Sequence, residues 1–265
     1  MIQCFVFGTP LPTDSVVLSV APSTGAVPFL TPDEATGGWV YTMAEEAIVY
    51  GLGEMPRGIN KRGWHYIANN TDESHHSEDK LSYYGAHNFL LIDPGAGQQP
   101  FGIFLDYPGK VFYDVGYTAH DTLRFHTEDA NYRMYILTGP SCPDIARQLR
   151  QLIGPSYIPP KWAFGLQQSR WGYKTAEDVR EIARRYREAD LPLDMICMDI
   201  DYMQDYADFT INKERFPDLA ALSAELKAQG IRLVPIIDAG VRIDPHDPTC
   251  TEGLEKGYFC KKADG

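Results

Sequence analysis

From about residue 161 to residue 238, apolar runs alternate with amphipathic stretches, and that alternation restricts this part of the chain to a sheet with helical crossovers. The apolar runs are Ala163 to Gln168, Leu193 to Met198 and Ile231 to Ile237. After the first run, Thr175-Ala176-Glu177-Asp178 has capping-box spacing, and Val179, Ile182, Ala183 and Tyr186 recur at helical intervals. After the second, Pro217-Asp218 precedes Leu219, Leu222 and Leu226, and Gly230 stands at a helix C′ position. Strands covered on both faces read as unbroken apolar runs. Units of this length imply parallel strands with right-handed crossovers. A doubly wound sheet and a (β/α)8 barrel both fit. The sequence has no dinucleotide fingerprint and no P-loop, which weighs against the first. Three strands cannot close a barrel that needs eight. The chain is then a fragment, or its last strand leaves an unpaired apolar edge that favours association.

Up to about residue 140 the pattern is different. Gly, Pro, Asn and Asp punctuate short aromatic and β-branched runs: Trp39 to Thr42, Ala47 to Tyr50, Asn88 to Ile92, Pro100 to Leu105, Lys110 to Val115, Thr122 to Thr127 and Tyr132 to Leu137. Turn signals at such intervals predict an all-β domain, a sandwich. A helix is expected from Ser141 or Pro143-Asp144, with Ile145, Leu149, Leu152 and Ile153 on one face and Gly154 as its stop. Pro155 and Pro159-Pro160 mark an extended linker. The expected organisation is α+β and multidomain: a β-sandwich over 1–140, a connecting helix and Pro-rich linker over 141–160, and the first three βα units of a (β/α)8 barrel over 161–265.

Five cysteines, an odd number with no CxxC pair, fit a reducing compartment. The N-terminus lacks a basic region followed by an apolar core, so no signal peptide is expected, and no apolar stretch is long enough to span a bilayer. A cytoplasmic location is the expectation. The formal charge of −12 disfavours nucleic acid and anionic membrane as partners, whereas a neutral carbohydrate meets no such penalty.

The Leu193 to Met198 run ends abruptly in two carboxylates, Asp199 and Asp201. An apolar strand that emerges into acids is how a barrel presents a polar site at its C-terminal face. An ionised carboxylate only accepts hydrogen bonds, and its two oxygens can hold adjacent sugar hydroxyls. Asp201 could instead face the helices and pair with a basic residue. Asp238 and Val241 end the third run. Trp171 follows the first, offering a broad apolar face and one N–H donor. His75-His76 with Glu78 and Asp79 suggests a metal, but the spacing fits no strong zinc motif and a solvated loop is the simpler reading. His87 reads as a core histidine within a strand. Arg180, Arg184, Arg185 and Arg187, interleaved with Glu177, Glu181 and Glu188, read as a salt-bridged solvent face. No cofactor and no metal are expected.

Four segments resemble glycoside hydrolase family 31, the α-glucosidase family. They are Tyr50-Gly51-Leu52-Gly53-Glu54, Tyr84-Gly85-Ala86-His87-Asn88-Phe89, Pro159 to Gly165 continuing through Gln168-Ser169-Arg170-Trp171-Gly172-Tyr173, and Asp199-Ile200-Asp201-Tyr202-Met203 with Phe209-Thr210 and Phe216-Pro217-Asp218. The resemblance runs over nearly the whole chain in order. It implies retaining hydrolysis of α-glycosides by two aspartates about 5 Å apart, one nucleophile and one general acid/base. Both belong to later barrel strands, expected beyond Gly265, so no catalytic residue is assigned. The resemblance implies a substrate-binding set of Asp72, Trp171, Asp199, Ile200, Asp238 and Val241. Asp199 would grip the non-reducing sugar, and Ile200 beside it leans toward glucose over xylose. Trp171 is similar to the variant associated with α-1,6 linkages. Asp72 matches a loop of the N-terminal domain that reaches over the barrel mouth. The partners implied are α-glucoside oligosaccharides, with a homo-oligomer or association through the open edge also expected. Two alternatives stay open: a non-catalytic carbohydrate-binding or structural module, and a complementation fragment that needs a second chain.

Overall fold

The structure, a computed structural model, describes residues 1–262 and divides into two compact units, Met1–Ser156 and Tyr157–Gly265. The first unit contains two five-stranded antiparallel sheets. One has β1 (Ile2–Phe7), β10 (Tyr132–Thr138), β7 (Phe101–Asp106), β6 (Ala86–Asp93) and β4 (Ile48–Gly53) in that spatial order. The other has β2 (Thr31–Asp33), β3 (Gly38–Thr42), β9 (Thr122–Thr127), β8 (Val111–Val115) and β5 (Trp64–Ala68). Alternation along the strands sends one face inward. Val111, Tyr113 and Val115 of β8 and Leu123 and Phe125 of β9 thus join Ile103, Leu105, Met134 and Ile136 of the other sheet in one buried cluster.

The Tyr50-Gly51-Leu52-Gly53 segment breaks the β4–β6 register between Gly51 and Gly53. Gly51 has φ +119°, and a Cβ there would stand 2.1 Å from the Phe89 carbonyl oxygen. Only glycine lets the two backbones approach so closely at that bulge.

The helix over 141–153 is not a free connector. α1 (Cys142–Ile153), capped by the Ser141 side chain, packs Ile145 and Leu152 against Cys4, Leu91, Tyr135 and Leu137, so it belongs to the first unit.

The second unit contains a three-stranded parallel sheet in the order β11 (Gln167–Arg170), β12 (Met195–Met198), β13 (Arg232–Pro235). The first strand was expected over Ala163 to Gln168. Instead Lys161–Phe164 forms a 3-10 turn and pairing starts at Gln167. The Asp194 carboxylate explains the delay: it accepts the N–H of Leu166 at 3.2 Å and crowds Gly165, holding the entry off the ladder. α2 (Ala176–Glu188) starts with the expected capping box between Thr175 and Asp178. α3 (Leu219–Ala228) starts at the Asp218 cap and ends before Gly230 at φ +81°. α4 (Pro248–Lys256) follows β13. Val179, Ala183, Leu222 and Leu226 cover the sheet through Ile196 and Met198.

Candidate functional site

The parallel register sets Arg170 beside Met198 and Met198 beside Pro235 at the C-terminal edge of the sheet. One residue further, Trp171 and Asp199 leave adjacent strand ends, and such strands lie about 4.8 Å apart. The Trp171 ring is 67% exposed at that edge. Asp199 is half-buried and caps a 3-10 turn, Ile200–Tyr202, where its Oδ1 accepts the Ile200 N–H at 2.7 Å. Its second oxygen stays available as an acceptor. Ile200 itself is half-buried against the unit's core beside Tyr202 and Phe216.

The turn separates the two aspartates that look alike in sequence. In a strand, residues i and i+2 share a face. Here the strand has ended, and Asp201 is buried, 3% exposed, with Oδ2 lacking any hydrogen-bond partner. The expected pairing of Asp201 with a basic residue is therefore corrected: among the described residues it forms no ion pair. The turn draws Asp201 into the core, away from the helix face that carries the arginines.

Asp238 and Val241 also lie elsewhere than expected. The third strand stops at Pro235, with one further ladder bond from the Ile236 N–H to the Met198 carbonyl at 3.0 Å. Asp238 and Val241 lie past it in irregular chain, exposed and half-buried respectively. The cause is Asp208, a buried carboxylate that sequence reasoning missed. Its Oδ1 accepts the Asp238 N–H at 3.1 Å and its Oδ2 the Gly240 N–H at 3.2 Å. That diverts the backbone from the ladder and fixes the loop beyond β13. Beside it the Tyr202 hydroxyl donates to the Ile236 carbonyl at 2.8 Å. Burial and the nearby Asp208 carboxylate both push the Tyr202 phenol up, so it stays a donor. The signal for Asp208 was its place directly before the quoted Phe209-Thr210 pair, in a loop where Asp205, Tyr206 and Phe209 all take positive φ.

In the first unit Asp72 stands exposed on the loop after β5. The Tyr84 hydroxyl donates to its Oδ1 at 3.0 Å, and that bond raises the Tyr84 phenol above its usual range. Glu73 and Lys80 are ion-paired at 2.9 Å on the same loop. His75 and His76 are exposed there, and His76 packs against Tyr83. His87, expected in the core, is exposed on β6, and a Cβ on Gly53 of the neighbouring strand would stand 2.5 Å from its ring. Among the described residues no cluster of His, Cys, Asp and Glu is arranged to hold a metal ion. On α2, Arg184 is ion-paired to Glu181 and Glu188, and Arg180 reaches Glu225 of α3 at 2.9 Å.

Chemically, the strand-end edge offers an aromatic face, a carboxylate acceptor and a pinned loop. An aromatic face and a carboxylate acceptor have the chemistry to bind a polyhydroxylated ring.

Two family models match the chain, one for each unit. Residues 156–265 match the glycosyl hydrolases family 31 TIM-barrel domain, and residues 32–114 match the glycosyl hydrolase 31 N-terminal galactose mutarotase-like domain. Alpha-glucosidase 2 of Bacillus thermoamyloliquefaciens is 40% identical over 228 residues, 85% of this chain and 28% of that protein. The alpha-glucosidase of Saccharolobus solfataricus is 28% identical over 219 residues, 82% of this chain and 31% of that protein. Among solved structures, a Flavobacterium johnsoniae GH31 dextranase complexed with isomaltotriose is similar with TM-score 0.68 at 25% identity, over 80% of this chain and 25% of that one. The glucosidase II alpha subunit shares the fold with TM-score 0.75 at 24% identity, over 86% of this chain and 27% of that one. The chain thus spans less than a third of the length of these relatives. With both units matched in order, the chain belongs to glycoside hydrolase family 31.

Proposed function

We propose that this chain is the sugar-holding part of an α-glucosidase-type retaining glycoside hydrolase acting on terminal α-linked glucose of oligosaccharides. The observation that carries the reading is Asp199. It is a half-buried carboxylate at a parallel strand end, with one oxygen tied to Ile200 and the other open, and the neighbouring strand leads into the exposed Trp171. A carboxylate bonds sugar hydroxyls more strongly than a neutral acceptor does. The indole supplies apolar surface for the C–H face of the ring. Asp238, whose N–H Asp208 accepts, and Val241, just past the Gly240 that it also holds, are assigned to the same pocket wall. The nucleophile and acid/base are assigned to the remaining barrel strands, so the 265 residues by themselves bind without cleaving.

Hydrolysis assays test this directly. A pure preparation of this chain shows no turnover of an aryl α-glucoside. The protein that joins it to the remaining strands releases glucose with retained α configuration. Turnover by the chain alone, or inverted product from the longer protein, contradicts the proposal.

A further inference from the structure

One end of the sandwich holds a second polar site. A cavity of about 450 Å³ opens where β5 of one sheet and β6 of the other leave the core, walled by the turn between β7 and β8. That volume is in the range of about 300–1,000 Å³ typical of small-ligand sites. Three side-chain amides line it: Asn69 and Asn70 just past β5, and Asn88 within β6. Each is held differently. Asn70 Oδ1 accepts the Ala86 N–H at 2.8 Å, which fixes the amide and leaves its NH2 free. Asn88 donates one N–H to the Tyr107 carbonyl at 3.1 Å, leaving its Oδ1 and a second N–H. Asn69 uses its backbone carbonyl to accept from Ser82, and its whole side-chain amide is left to the cavity. At the rim Lys110 and Glu128 stand 4.0 Å apart, so their charges offset each other. Tyr107 adds ring surface, its hydroxyl being donated to Asp129 at 3.3 Å.

The cavity therefore presents donors and acceptors without net charge. An amide carries one acceptor and one donor group in a plane, which matches two neighbouring hydroxyls of a sugar ring. Ionic ligands have no unpaired counter-charge to meet there. We propose that this cavity is a second carbohydrate-binding site, taking a neutral hexose or the end of a glucan. The site lies wholly within the first unit. It rests on none of the residues assigned to Asp199's pocket.

Glucose and maltose titrations followed by two-dimensional amide NMR on the whole chain test the proposal. Saturable shifts of the Asn69, Asn70 and Asn88 side-chain NH2 signals are expected. Asn69→Ala, whose side chain supports no other residue, should weaken that binding about fivefold, the size of one lost hydrogen bond. Asp199→Ala should leave it unchanged. Amide shifts absent with both sugars overturn the proposal. So does unchanged affinity in Asn69→Ala, or binding at these amides that disappears with Asp199→Ala. A failure here leaves the Trp171 and Ile200 signals free to report separately on the strand-end pocket.

Discussion

The carboxylate of Asp208 accepts the backbone N–H of Asp238 at 3.1 Å, across 30 residues of chain. With Gly240 bound to its other oxygen, Asp208 decides where the third strand ends. Asp208→Ala leaves two backbone donors unpaired beside a buried site, a loss of about 1–3 kcal/mol. Asp208→Asn keeps one acceptor and recovers part of it. Urea unfolding should show the midpoint falling in the order wild type, Asn, Ala. Equal midpoints contradict the role given to Asp208.

The capping box at Thr175 is a local test of the second unit. The Thr175 side chain accepts from the Asp178 N–H at 3.2 Å, and Asp178 Oδ2 accepts back from the Thr175 N–H at 2.8 Å. Thr175→Ala should cost about 1 kcal/mol. Arg184→Ala, on the exposed face of the same helix, should cost no more than about 0.5 kcal/mol despite its two ion pairs. Paired denaturation curves of the two variants check the ordering.

Lys61 offers a pH test in the first unit. It is 6% exposed and near Arg57, and its ammonium lies 5.7 Å from the Tyr66 ring. Burial, then the Arg57 charge, holds its pKa below the usual lysine value of 10.5. For a base with a lowered folded pKa, the unfolded chain binds the proton more tightly. Folding is then penalised at pH below the folded pKa, and the penalty lifts as pH rises from there to 10.5. Lys61→Met should raise the melting temperature at pH 7 and flatten the alkaline rise seen in the wild type. A lower melting temperature in Lys61→Met contradicts this.

Trp171 is exposed at the strand end, so replacing it tests specificity without a large structural cost. Trp171→Tyr should change stability by no more than about 0.5 kcal/mol. Its effect should fall on linkage, weakening isomaltose more than maltose in a sugar titration. Equal effects on the two disaccharides contradict an α-1,6 preference.

The parallel βα units were legible because each helix carries its own start signal and each buried strand its own apolar run. Thr175, Asp218 and Gly230 act within a few residues of where they stand, so local physics reveals them. The bounds of β11 and β13 were not legible. They depend on Asp194 and Asp208, each of which captures backbone N–H groups about 30 residues away in the chain. The strands β1, β2 and β5 were also missed. β2 has three residues, with Pro32 at its centre, and β5 lies among Gly, Asn and His that resemble loop. In the site, Asp199 was legible because an apolar run stops at it. The burial of Asp201 was not legible, because the 3-10 turn that carries it has no apolar-run signal of its own.

The central claim is that Asp199 holds the sugar while this chain does no bond cleavage. A glucose titration of the whole chain, followed at the Trp171 indole N–H and the Ile200 amide, tests it most directly. Losing a charged hydrogen bond costs about 1.5–3 kcal/mol, more than a factor of ten in affinity. The account predicts saturable shifts at both signals in the wild type, at least tenfold weaker in Asp199→Ala, with the rest of the spectrum intact. Shifts of equal affinity in wild type and Asp199→Ala, or none in either, would contradict it.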